Sequence, residues 1–145
     1  MQRPKITQEI IEQAAKDLAA EMGWDEAQAA EIANVYRLHM DGYQLAKGLE
    51  SVHLWDITVV EVDALDSMDS TVREIHRKVC MGWARENDIQ PPLTIGTMTT
   101  RGEITGIYEH DAACYLVREH EETSVSRRLI VRFEDAKPLE YGVPA

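Results

Sequence analysis

Apolar residues recur at helical spacing along the first part of the chain. Behind Thr7, a good capping residue, Ile10, Ile11, Ala14, Ala15, Leu18 and Met22 mark one face and Gly23 stops the run, which predicts a helix over about 8–22. Asp25 with Gln28 has the form of a capping box, and Ala29, Ile32, Ala33, Tyr36 and Met40 then predict a second helix over about 26–39. Asp41-Gly42 reads as a turn, followed by a short helix carrying Tyr43, Leu45, Ala46 and Leu49 and ending near Ser51. From Thr58 to Asn87, Val62, Leu65, Met68, Val72, Ile75, Val79 and Trp83 step by three or four residues, the pattern of a long helix with one buried face. Asp66 to Ser70 places short polar side chains in its middle, so the alternative to one long helix is two helices meeting at Asp69, with the same face buried.

Pro91-Pro92 ends the helical pattern, because proline lacks an amide hydrogen and disfavours helical geometry in the residue before it. Beyond it the period shortens to strands: Leu93–Thr99, Glu103–Tyr108, Ala112–Arg118 and Arg127–Phe133, with a possible fifth at Leu139–Tyr141. These elements predict an α+β chain with a helical part of three to five helices over 1–88 and a small SH3-like β-barrel of four to five strands over 93–145. Val72, Ile75, Val79 and Trp83 are expected to meet Leu129, Val131 and Phe133, joining the parts into one cooperative unit.

Charge sharpens this division. The 145 residues carry 26 acidic against 15 basic groups, a net −11. Residues 1–88 hold 17 of the acidic and 9 of the basic groups, so the acidity sits on the helices. Such a surface repels DNA and anionic membranes, and it can imitate a phosphate backbone toward a partner that binds nucleic acid. Two cysteines make no disulfide framework, and no apolar run reaches the roughly 20 residues of a membrane span. The expected location is the cytoplasm.

No phosphate-binding glycine loop, zinc-protease motif or nucleophile elbow is present. His76 and Cys80, with His110 and Cys114, have spacings that a zinc site could use, but both thiols also fit buried apolar positions. Asp63, Asp66 and Asp69 share a helix edge; Asp69 before Arg73 and Glu74 before Lys78 read as ion pairs on a solvated face. His110-Asp111 falls in a turn, where aspartate serves its own backbone. No metal or cofactor is expected.

The β part offers a different chemistry. Alternation sends Leu129, Val131 and Phe133 to the core and Arg128 and Arg132 to the opposite face, while Arg118 shares the face of Cys114 and Leu116 and Arg101 occupies a hairpin tip. Guanidinium forks suit phosphates, and Tyr108 and Tyr115 are candidate rings for stacking on a base. The competing explanation is pairing with Glu119, Glu121, Glu134 or Asp135 or with the helical part.

The segments ENDIQPPLTIGTMTTRGEITGIYEHDAACYLV and RRLIVRFEDAKPL, with MDGYQLAKGLE and WDI upstream, resemble small accessory proteins of enterobacterial phages and prophages. The resemblance implies a host-virus context in the host cytoplasm, and it transfers no functional residue. Together with the arginines it leads to the expectation of a non-enzymatic anti-defence protein that sequesters a small anionic nucleotide signal at Arg101, Tyr108, Tyr115, Arg118, Arg128 and Arg132. The alternative is a direct inhibitor of a host defence complex acting through the acidic helical face as a nucleic-acid mimic; a metal-dependent enzyme is third. A homo-oligomer is expected because small binding modules often build sites across a symmetry axis. If the two parts form one cooperative unit, calorimetry should show a single thermal transition, since neither part has much surplus stability alone.

Overall fold

The structure, a computed structural model, describes residues 2–139. Within them five α-helices precede four β-strands, an α+β arrangement. The chain separates into two compact units, Met1–Val79 and Cys80–Ala145, and the change falls inside the last helix.

In the helical unit, α1 (Gln8–Met22) starts at Thr7, whose hydroxyl accepts the Ile10 N–H, and stops at Gly23, which turns left-handed at φ 71°. The Asp25–Gln28 capping box opens α2 (Glu26–Val35). This helix ends four residues before the expected 39, because Tyr36 adopts ψ 137° and the chain turns through Arg37 to Met40 with His39 at φ 74°. Asp41 caps α3 (Gly42–His53) in a second box with Gln44. Thr58 and Glu61 open α4 (Val59–Leu65), and Asp66-Ser67 separates it from α5 (Met68–Glu86). The Ser67 hydroxyl donates to the Ala64 carbonyl at 2.7 Å, the local competition for backbone groups that interrupts a helix.

The core of this unit is rich in alanine. Ala14, Ala15, Ala29, Ala33 and Ala46 pack with Ile32, Tyr36, Leu45, Leu49, Leu65, Met68 and Val72. Small side chains let the helices approach closely. At Gly42 the approach is tightest, since a Cβ there would lie 2.3 Å from the Val62 carbonyl oxygen. Tyr43, expected within the apolar stripe of α3, is 62% exposed, and its ring lies beside Lys47 instead.

Two carboxylates fasten the turn between α2 and α3. Asp66 accepts the Gly42 N–H at 2.7 Å. Asp69 accepts the Tyr36 hydroxyl and, at 2.8 Å each, the His39 N–H and the Arg73 Nε–H. Burial pushes the Asp69 carboxyl up, but the bonds from Tyr36, Arg73 and His39 outweigh it and hold the group below the usual carboxylate range. Burial and the neighbouring Asp69 carboxylate push the Tyr36 hydroxyl well above its ordinary value.

At the far end of α3, Leu54 caps the helix in the left-handed region at φ 59°, and the Leu54 and Trp55 amides both return to the Leu49 carbonyl. Gly23 performs the same turn after α1 without a side chain. A leucine there costs about 1 kcal/mol relative to glycine, and its side chain recovers little of that because it is 85% exposed. Trp55 next to it donates to Glu31 at 2.6 Å and meets Trp24 edge-on at 5.2 Å.

The β unit is an antiparallel meander in the order β1 (Met98–Thr99), β2 (Gly102–Tyr108), β3 (Cys114–Arg118), β4 (Leu129–Arg132). The expected strand over 93–99 shrinks to two residues, because the chain turns at Gly96 with φ 97°. Gly102, at φ 139°, lies so close to the Arg118 carbonyl that a Cβ would stand 2.0 Å from its oxygen. Ile104, Tyr115, Val117, Val131 and Phe133 form the core of the unit. Beyond the short 3₁₀ turn of Phe133–Asp135, Pro138 bridges Thr99 and the Leu139 N–H donates to the Met98 carbonyl. The rest of the fifth expected strand, residues 140 and 141, lies outside the described residues.

Asp69→Asn should lower stability by about 2 kcal/mol in urea denaturation, since an amide replaces the charge that strengthens three hydrogen bonds. The sign with pH follows from a depressed folded-state value. The contribution of Asp69 is present above its unfolded value, about pH 4, and disappears as pH falls through the folded one. The gap between wild type and variant should therefore be full near neutrality and close on acidification.

Candidate functional site

The ladder sets the geometry of the expected arginine site. Taking alternate rows of the ladder, Tyr108, Cys114 and Arg132 form one, Gly106, Leu116 and Ile130 the next, and Glu103 and Arg118 a third. Continued by one residue, the register puts Arg128 beside Arg118. Arg128 and Arg132 stand four residues apart on one strand direction, about 13 Å, so the arginines do not converge on one point.

Their partners narrow the set further. Arg118 pairs with Glu103 at 2.7 Å, across the strands rather than with Glu119 or Glu121. Arg128 donates from Nη1 to the Ser124 and Arg127 carbonyls and from Nε to the Thr105 hydroxyl, at the bulge in β2 between Ile104 and Gly106. It fastens the 119–128 loop. Arg101 lies exposed in the β1–β2 turn. Beside Arg118 opens a shallow cleft of about 320 Å³ lined by Glu103, Glu119, Glu121 and Glu122 together with His120, a carboxylate-rich surround for an anion.

Tyr115 corrects the sequence reading. Its ring is fully buried against Phe133, 4.4 Å between centroids, so it offers no face to a base. Its hydroxyl accepts the Leu93 N–H at 2.7 Å and donates to the Leu93 carbonyl. Burial raises its pKa, and the Leu93 N–H pulls partly the other way. Alternation was the signal that could have placed it, since a strand putting Cys114, Leu116 and Arg118 on one face puts Tyr115 and Val117 on the other. Tyr108 remains half-buried at the end of β2, its ring edge-on to His110 at 5.4 Å. Tyr108 and the exposed Arg132 are what the expected site retains as an open pair.

The acidic helical face also sorts into two groups. Asp66 and Asp69 hold the fold through the bonds from Gly42, Tyr36, His39 and Arg73, though Asp66 is exposed, as Asp63 is. Glu74 pairs with Arg77, three residues on, one position short of the expected Lys78. Glu50, Asp56 and Asp63 face solvent around the α3–α4 connection, where Val52, Leu54, Val59 and Val60 are 62, 85, 79 and 71% exposed. Sequence periodicity passed over these four residues because they lie at helix ends, where no apolar stripe is defined.

His76 donates from Nε2 to the Pro4 carbonyl at 2.8 Å, and the Cys114 thiol donates to the Ala112 carbonyl. Among the described residues no group of three or more histidine, cysteine or carboxylate side chains is placed to hold a metal ion. Nor, among them, is any helix long and apolar enough to cross a membrane. Comparison with protein-family models, curated proteins and solved structures gives no match.

Tyr115→Phe should destabilise the protein by about 1–3 kcal/mol, because it leaves the Leu93 amide without its acceptor. Urea denaturation of the variant measures this directly; an unchanged midpoint would show that water replaces the hydroxyl at no cost.

Proposed function

We propose that this is a binding protein that engages a protein partner through the acidic surface of its helical unit. The observation that carries the reading is the sorting of charge and apolar surface at the α3–α4 connection. Glu50, Asp56 and Asp63 are exposed there in the same stretch as exposed valines and a leucine, while Glu61, Asp66 and Asp69 hold the fold. Such a surface attracts a basic partner at long range and holds it at short range. The resemblance to phage accessory proteins suggests a component of a host defence complex as that partner.

A second reading keeps the anionic nucleotide. It draws support from one row of the sheet, where Tyr108 and Arg132 flank Cys114, their backbones two strand spacings or about 10 Å apart. A base on Tyr108 and a phosphate on Arg132 fit that spacing, without Tyr115. For the β unit we read an SH3-like barrel, supported by the Thr99–Pro138 bridge that returns the chain to its first strand.

Charge separates the two readings. Cross-linking in cells followed by a binding isotherm with the captured partner should show affinity falling steeply with salt. The variant Glu50→Gln/Asp56→Asn/Asp63→Asn should lose most of that affinity with its melting temperature nearly unchanged, and Arg132→Ala should bind as wild type. Calorimetric heat with a cyclic dinucleotide, abolished by Arg132→Ala, would instead select the nucleotide reading.

A further inference from the structure

Leu54 occupies a position that its own fold does not favour. It closes α3 with φ 59°, a conformation suited to glycine or asparagine, and its side chain points into solvent with 85% exposure. The chain uses glycine for the same turn at Gly23. Strain kept at an exposed position is a signal of use rather than of packing. Val52, Val59 and Val60 are exposed within the same nine consecutive residues, on a base made rigid by the Trp55–Glu31 bond and the Trp24–Trp55 contact.

The occupant is set by charge. Residues 41–66 carry six acidic groups and a single lysine. A second copy of this chain would bring the same charge to the contact, and an anionic lipid surface would be repelled as well. We propose that Leu54, with Val59 and Val60, anchors a basic amphipathic segment of a partner protein, whose apolar side chains cover this corner while its lysines or arginines meet Glu50, Asp56 and Asp63. This rests on the protein-binding reading above and gives it a site. It also departs from pure imitation of nucleic acid, which needs no apolar centre.

The test uses a synthetic helical peptide of roughly 18 residues with leucines on one stripe and lysines elsewhere, and a control peptide in which serine replaces every leucine. Fluorescence anisotropy should show the leucine peptide binding the wild type more tightly than the serine peptide. Leu54→Asn and Val59→Thr should each weaken the leucine peptide about tenfold and leave the serine peptide unaffected. Leu54→Asn should at the same time raise the melting temperature or leave it unchanged, because asparagine tolerates the left-handed cap. A lower melting temperature would overturn the inference by showing that Leu54 serves the fold. Undiminished peptide binding by both variants would overturn it too, while loss of binding in Glu50→Gln/Asp56→Asn/Asp63→Asn alone would preserve the acidic reading without this site. Concentration-dependent dimerisation of wild type that Leu54→Asn abolishes would replace the basic segment with a second copy.

Discussion

The helical unit depends on one carboxylate. Asp69 gathers a phenol, a backbone amide and a guanidinium, drawn from Tyr36, His39 and Arg73. These bonds hold the chain between α2 and α3 against the start of α5, where His39 adopts a left-handed conformation that a non-glycine residue rarely takes. The guanidinium extends the group by donating from Nη2 to the His39 ring at 2.8 Å, which requires the accepting Nδ1 to carry a lone pair. With Asp66 on the Gly42 amide, one short acidic stretch positions α3 relative to both its neighbours.

That arrangement explains why an acidic surface need not be acidic for one purpose. Asp66 and Asp69 accept backbone and side-chain hydrogen bonds and so belong to the architecture, Asp66 while still exposed, whereas Asp63, three residues before Asp66, faces solvent. Substituting all three together, as the bare sequence invites, would mix a folding defect with a binding defect. The same distinction holds in the sheet, where Arg128 closes a loop and Arg132 stays exposed.

Local chemistry made much of the fold legible. Thr7 and Gly23 bound α1 as their types require, and the Asp25–Gln28 box starts α2 where the pattern places it. The polar interruption before Ser70 does break the long helix, at Asp66-Ser67. What stayed hidden is tertiary. The Asp69–Arg73 spacing is visible in a string of letters, but nothing local tells that the same carboxylate also accepts from Tyr36 and His39, more than two dozen residues away. Tyr115 is a different case: its ring chemistry suggests a stacking platform, but the strand period buries it with Val117. Leu54 escaped notice because the third helix was expected to end near Ser51, which left the leucine in an undefined link.

The meander of the β unit has a kinetic consequence. Its strands pair in sequence order, with partners such as Glu103 and Arg118 or Cys114 and Arg132 close along the chain, so each hairpin closes a small loop. Loop-closure entropy is then modest, and low contact order favours rapid folding. The bridge from Thr99 to Pro138 spans the greatest distance along the chain of these pairings. During synthesis it is available only after β4 has left the ribosome. Until then β1 has a single neighbour, β2, and its outer edge is open to other chains, the interval in which a nascent copy is most exposed to mispairing.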